Sequence, residues 1–306
     1  MQFPNKGHFL DGKEMTPASL NVLLNLAETL KSERAEGILR DDLNGKTLAL
    51  LFDKPSLRTR MSFTVAMTEL GGNVIEAPAN LRKHEEPEDL AGVMSRYVHG
   101  IMIRTHAHEG LMRFVSRSKV PVMNGLTDEH HPCQSLADIL TLKQAFGSTE
   151  GLVLTYIGDG NNILHSLMVL APMAGIHLQY AAPAAYQPDG KLLEWCQMRK
   201  GVTGSVKAFK TPEEAVLNSN AIYTDVWTSM GFESENVERV KAFAGYQVNA
   251  ELYAKAAPQA IVLHCMPMVR GQEITSEMAD HDRSFIYQQA ENRLHVQKAL
   301  LWNLLR

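Results

Sequence analysis

Residues 53–60, DKPSLRTR, set two arginines and two hydroxyls at the point where a helix is about to begin. The preceding Leu48–Phe52 is apolar, short and dense enough to be a buried parallel strand. Phe63, Met67 and Leu70 then recur at i, i+4 and i+7 until Gly71-Gly72, which predicts a helix with Ser56 at its N-cap. A helix N-terminus carries partial positive charge and unpaired N–H groups, so Arg58 and Arg60 are at the unfavourable end unless an anion lies among them. Ser56, Thr59, two guanidiniums and free N–H groups describe a phosphate cradle; the alternative is a basic surface turn.

Other chemistry-bearing residues fall where apolar runs stop. Arg104 ends GIMIR, and either snorkels to solvent or reaches an anion. His131-Pro132-Cys133-Gln134 opens a helix, with Pro132 where its missing N–H does no harm. There His131 is a capping residue or a ligand-binding one, and Cys133 reads as a small core residue. Gly158-Asp159-Gly160-Asn161-Asn162 follows a strand as a nucleotide-binding turn would, yet Ile163 occupies the third glycine position of a dinucleotide fingerprint. Amides at a helix start suit a carboxylate instead. Asp225 ends another strand, and a buried carboxylate favours a cationic partner. Cys265, beside His264, could be a nucleophile or a metal ligand, but no third group stands at an indicative spacing and no metal is predicted.

The elements that must carry these residues alternate. A helix is expected over residues 17–34, with Thr16 as cap and Pro17 in the first turn. Strands at 73–77, 100–105 and 120–123 then alternate with helices at 86–97, 108–116 and 135–146. After a polar break at 147–151 the rhythm restarts, with strands at 152–157, 177–181, 206–209, 221–226 and 260–265, and a closing helix at 288–305. This pattern means βαβ units and parallel sheets. The expectation is two doubly wound parallel-sheet α/β domains, 1–147 (joined by the closing helix, 288–306) and 148–287. Ligands then lie outside the carboxyl ends of the strands.

Composition narrows the class. The 306 residues suffice for two large cores, with 45% hydrophobic and 21% charged residues. A net charge of −4 argues against nucleic acid or a polybasic membrane patch, and no apolar run approaches the ~20 residues of a membrane helix. Residues 1–15 have neither signal-peptide nor transit-peptide character. Three cysteines, without metal spacing, suggest a reducing compartment.

The segment Ser56-Leu57-Arg58-Thr59-Arg60 resembles the carbamoyl-phosphate signature of the carbamoyltransferases, and His131-Pro132-Cys133-Gln134 resembles their second signature. Asp225 followed by Ser229-Met230-Gly231, and His264-Cys265-Met266-Pro267, resemble the motifs of the ornithine carbamoyltransferases within the aspartate/ornithine carbamoyltransferase superfamily. The likeness spans the chain and implies an active site in the cleft between the domains. It also implies carbamoyl transfer from carbamoyl phosphate to the δ-amine of L-ornithine, giving citrulline and phosphate in arginine metabolism, with no cofactor or metal. The other readings are a carbamoyltransferase for another amine, such as acetylornithine or putrescine, and a non-catalytic paralogue. On this resemblance Ser56, Leu57, Arg58, Thr59, Arg104, His131, Gln134, Cys265, Met266 and Arg293 would bind carbamoyl phosphate, joined by Asn80 from a neighbouring subunit. Asn162, Asp225, Ser229 and Met230 would bind ornithine. Cys265, Asp225, Arg104, His131 and Arg293 would be catalytic. A cytoplasmic homotrimer, or a multiple of trimers, is implied. Asn80, where the family often has Gln, and Lys83-His84-Glu85 depart from the family pattern; Leu57 and Met266 are milder departures.

Overall fold

The computed structural model describes residues 7–78, 85–228 and 233–306. Contacts divide the chain into two compact units, 1–140 with 291–306, and 141–290.

In the first unit α1 (Pro17–Ala35) starts on a reciprocal capping box between Thr16 and Ser19 and buries Leu20, Leu23, Leu24 and Ala27. Then follow β1 (Thr47–Phe52), α2 (Leu57–Thr68), β2 (Asn73–Pro78), α3 (Pro87–Met94), β3 (Gly100–Arg104), α4 (His108–Arg117), β4 (Val122–Leu126) and α5 (Pro132–Phe146). The four strands form a parallel sheet in the order β2-β1-β3-β4. Three expected boundaries move. The helix expected to reach Tyr97 stops at Met94, where the N–H of Tyr97 turns back to the carbonyl of Met94. The strand expected over 120–123 starts after Pro121, which has no N–H to give, and runs on through Asn124 and Gly125. The helix expected from Ser135 starts at Pro132.

Gly125 marks a bulge: Ile103 pairs with Asn124 but Arg104 pairs with Leu126. A Cβ on Gly125 would run into the Met102 sulfur and crowd the Ile103 carbonyl, so any larger residue at the bulge would force Met102 to repack. The bulge falls at the register position that holds Arg104.

The second unit contains β5 (Val153–Ile157), α6 (Asn162–Leu170), β6 (His177–Ala181), α7 (Gly190–Met198), β7 (Ser205–Phe209), α8 (Pro212–Ala215), β8 (Ala221–Thr224), α9 (Asn236–Ala242), α10 (Ala250–Tyr253), β9 (Ile261–His264) and α11 (Ser276–Ala279). Its parallel sheet has the order β7-β6-β5-β8-β9. Ile157, Ala181, Ile222, Val262, Ile274 and Ile286 belong to one buried apolar cluster. The last helix, α12 (Ile286–Leu305), begins in this unit and has most of its length in the first. The expected strand to Val226 ends at Thr224, so Asp225 is the first residue beyond it.

The turn after β5 shows why two glycines stand there. Gly158 has φ +150, and Gly160 is pressed against the backbone of residues 186–188, its N–H donating to Tyr186 O at 2.9 Å. The close approach is therefore chain to chain. Gly160→Ala is expected to cost about 1–3 kcal/mol through overpacking. Gly190→Ala, with nothing within 4 Å of the added carbon, is the matched control and should be neutral or mildly stabilising. Thermal unfolding of the two variants checks this.

Candidate functional site

Both sheets reverse their winding beside a central strand, and the polar residues gather there. In the first unit the reversal lies between β1 and β3, whose last residues Phe52 and Arg104 are register partners. The Asp53 N–H donates to Arg104 O at 2.9 Å, which ties the turn before α2 to the end of β3. Ser56 is the N-cap of α2 with extended backbone, but its hydroxyl makes no capping bond. Thr59 is fully buried one turn in, and accepts from Arg293 Nη2 at 2.5 Å across to α12. A second tie between the same helices joins Lys298 of α12 to Glu69 at the C-cap of α2, and Glu69 also accepts from Arg34 Nε at 2.8 Å.

Arg104 is 7% exposed, and its Nε is buried without a hydrogen-bond partner among the described residues. Burial, then Arg293, then Arg58 pull its guanidinium down to about 10, with no acid contributing. His131 is buried at the start of α5 and held well below 6.5 by burial, Arg293 and Arg104. Gln134 donates from Nε2 to Asp138 Oδ1 at 2.9 Å, while its buried Oε1 has no partner among the described residues. A guanidinium buried without an acid among the described residues, with two more arginines and a neutral imidazole around it, has the chemistry to hold an anion with a polar neighbour. Of the two explanations for Arg104, snorkelling is excluded by its burial.

Arg60 behaves differently. It pairs with Glu76 of β2 at 2.8 Å and lies over the Phe52 ring, so it is engaged away from Arg58's group. Cys133 donates to Asn124 O at 3.4 Å, with its thiol pushed by burial up to about 12, and is a core residue as its sequence context implied.

In the second unit the reversal lies between β5 and β8. Asp225 follows β8 and is 7% exposed. Its Oδ1 accepts from Cys265 Sγ at 2.9 Å and from the Val226 N–H at 2.8 Å; its Oδ2 accepts from Asn161 Nδ2 at 2.9 Å. The carboxylate thus has three donors, none of them cationic. The thiol that seemed to lack a third group has one: atoms of Asp225, His264 and Cys265 lie within 4.8 Å of one another. His264, however, has both nitrogens engaged. Nδ1 accepts from the Met266 N–H at 2.9 Å, which leaves the proton on Nε2 for Glu273 Oε1 at 3.0 Å. Glu273 also accepts from the Val269 N–H at 2.6 Å, so this buried pair shapes the turn after β9 that contains Cys265 and Met266. Met266 has φ +56, in the left-handed region, and is held there by that network.

Asn162 is the first residue of α6, as expected, but the residue that reaches Asp225 is its neighbour Asn161, a contact over 64 positions that spacing could not reveal. On the far side of the same turn Asp159 pairs with Arg239 of α9 at 2.7 Å, and Arg239 also donates to Trp227 O at 3.1 Å. Asn80, Ser229 and Met230 lie outside the described residues.

These features define a two-unit parallel α/β protein with a buried cluster of arginines and a neutral histidine at one sheet's switch point and a carboxylate–thiol pair at the other's. The first half of the chain, residues 7–144, matches the family profile described as the carbamoyl-P binding domain of aspartate/ornithine carbamoyltransferase. Residues 150–304 match its Asp/Orn binding domain. Among similar proteins, the ornithine carbamoyltransferase of Thermus thermophilus is 45% identical over 302 residues, 97% of this chain and 96% of that one. That of Methanocorpusculum labreanum is 43% identical over 98% of each chain. The solved structure of ornithine carbamoyltransferase from Pyrococcus furiosus aligns with a TM-score of 0.94 at 41% identity, covering 98% of this chain and 97% of that one. The chain belongs to the aspartate/ornithine carbamoyltransferase family.

The state of His131 has a measurable consequence. Its folded pKa is depressed, so below pH 6.5 the unfolded chain takes up a proton that the folded one does not. The resulting loss of stability is absent above pH 6.5 and grows as pH falls below it. His131→Gln removes this contribution. Thermal unfolding against pH should therefore show wild type losing ground to the variant only on the acid side; parallel curves would mean that the imidazole titrates normally.

Proposed function

We propose that this protein transfers the carbamoyl group of carbamoyl phosphate to the δ-amine of L-ornithine, forming L-citrulline and phosphate. The observation that carries the reading is Arg104, buried with no acid or acceptor among the described residues, in a chain whose other unit presents Asp225 with Cys265. Residues 1–147 with 288–306 are assigned to carbamoyl phosphate, and 148–287 to ornithine.

Ser56, the Leu57 N–H, Arg58 and Thr59 hold the phosphate, and Arg104, His131, Gln134 and Arg293 hold the carbamoyl group. Neutral His131 donates a hydrogen bond without adding to the local positive charge. Asn162, with Ser229 and Met230, binds the amino-acid end of ornithine, Asp225 faces its δ-amine, and Cys265 and Met266 line the point of attack. The free amine is protonated near pH 7, since its pKa resembles that of lysine, ~10. Desolvation beside the cations of the carbamoyl-phosphate site favours release of that proton, and Asp225 and the Cys265 thiol orient the lone pair. The amine attacks the carbonyl carbon and the carbonyl oxygen becomes an oxyanion. Arg104, His131, Thr59 and Arg293 stabilise that charge; one preorganised donor of this kind is typically worth ~3–4 kcal/mol. The tetrahedral intermediate collapses by breaking the bond to the phosphate oxygen. Phosphate leaves and takes up the second proton from the nitrogen, which leaves the neutral ureido group of citrulline.

We further propose a cytoplasmic homotrimer or a multiple of trimers, acting in arginine metabolism. Support for self-association comes from β2, the edge strand of its sheet, with Ile75 exposed, and from Leu57 and Met61 exposed on α2. Three free thiols agree with a reducing compartment.

Citrulline formation from carbamoyl phosphate and ornithine is the direct assay, and acetylornithine and putrescine should be poor substitutes. Asp225→Asn is expected to cut kcat/KM for ornithine at least 100-fold while calorimetric binding of carbamoyl phosphate changes little; equal loss of both would make Asp225 structural. A shared site is tested by mixing subunits. Arg58→Ala and a variant with residues 80–84 replaced by Gly and Ser should each be nearly inactive as homotrimers. After dissociation and reassembly in equal amounts, roughly a quarter of wild-type activity should return, because each site draws its cradle and its loop from independent subunits. No recovery would mean that the loop serves its own subunit.

A further inference from the structure

Asn161 is the N-cap of α6, and a cap is chosen from several residues that serve equally well. Its Oδ1 accepts from the N–H groups of Ile163 at 3.0 Å and Leu164 at 3.4 Å. Asp, Ser or Thr would do the same, and Asp would add a favourable interaction with the helix dipole. The helix therefore does not explain why the residue is Asn. Its other end does. A third donor, the Tyr156 hydroxyl at 3.3 Å, also reaches Oδ1, so the amide has only one sensible orientation, oxygen to the helix and nitrogen to Asp225 Oδ2 at 2.9 Å. Asn carries its acceptor and its donor on separate atoms, so the oxygen can serve the helix end while the nitrogen reaches the carboxylate; Asp has no such donor when ionised, and Ser or Thr must do both from one hydroxyl closer to the backbone.

The surroundings fix this orientation. Tyr156 is fully buried in β5, paired with Tyr223 of β8, their rings 5.6 Å apart. Burial, and the nearby Asp225, Asp159 and Cys265, raise its phenol well above 10, so it stays a donor. Gly160, wedged against residues 186–188, anchors the turn from the other side. Asp225 is then gripped at Oδ2 by Asn161 and at Oδ1 by Cys265 and its own neighbour's N–H, with each oxygen assigned before any amine arrives.

We propose that Asn161 is a positioning residue for amine transfer: held by the α6 N-terminus and Tyr156, it sets the rotation of the Asp225 carboxylate that meets the δ-amine. The inference rests on the ornithine reading above. Its experiment separates the two, because wild-type citrulline formation tests that reading and the variants test only this one.

Asn161→Asp is the decisive variant. It is isosteric, keeps the cap, and puts a second carboxyl group against Asp225, so the pair must either repel or share a proton and the Asp225 charge that meets the amine is lost or displaced. The expected result is a melting temperature within a few degrees of wild type and a fall of about 100-fold or more in kcat for citrulline formation. Binding of L-norvaline, which has the α-carboxylate and α-amine of ornithine but no δ-amine, should change less than about threefold. Asn161→Ser, which keeps the cap but puts its hydroxyl closer to the backbone than the amide nitrogen that reaches Asp225, should fall between the two, and Tyr156→Phe should lose about three- to tenfold in kcat. Asn161→Asp with wild-type kcat would overturn the proposal, since capping alone would then account for the residue. So would norvaline binding that falls in step with kcat. If Asn161→Asp does not fold, Asn161→Ser decides: loss of kcat with norvaline binding retained supports the proposal, and wild-type kcat overturns it.

Discussion

A guanidinium buried without a counter-charge among the described residues is the constraint around which the first unit is built. Arg104 carries the cost of desolvation and of Arg293 and Arg58 nearby, and no acid among the described residues offsets it. A structure that served stability alone would place an acid there or replace the arginine, because an uncompensated buried charge costs several kcal/mol. The rest of the unit holds the arrangement in place. The Gly125 bulge falls at Arg104's register position, Thr59 receives Arg293, and Glu69 with Lys298 fastens the same two helices a few turns on. Destabilisation is concentrated where an anion would relieve it, and stabilising contacts are placed around it.

The second unit solves the converse problem. Asp225 is as buried as Arg104, and it has no cationic partner among the described residues. It is kept soluble in the protein interior by neutral donors, the Cys265 thiol, the Asn161 amide and a backbone N–H. Neutral donors satisfy the oxygens without cancelling the charge, which an arginine or lysine partner would do. His264 and Glu273 take no direct part in this group. They hold the turn on which Cys265 is displayed, one nitrogen and one oxygen at a time.

Both groups sit where sheet order reverses, beside β1 in one unit and β5 in the other. At that point the connections leave in opposite directions and the strand ends are left uncovered. The same topology thus presents buried cations at one switch point and a buried carboxyl group at the other, distinguished only by the side chains that the strand ends carry.

The sequence by itself determined the alternation of strands and helices, since buried parallel strands read as dense apolar runs and helices as a 3.6-residue repeat. It also marked Arg58, Arg104, His131, Asp225 and Cys265, because a polar residue at the end of an apolar run is conspicuous without any knowledge of its neighbours. What it could not supply was pairing across the fold. Arg60 and Arg58 are alike in sequence, and only the position of Glu76 separates the ion-paired one from the one beside Arg104. Cys265 lacked a third group until β8 and β9 were placed side by side, bringing Asp225 to 2.9 Å from its sulfur. Asn161 and Asn162 were equivalent amides until the helix start fixed which of them faced Asp225. Periodicity records what each segment does with water; the partner of a polar atom depends on which strand ends the sheet order makes neighbours, and only the tertiary structure decides that.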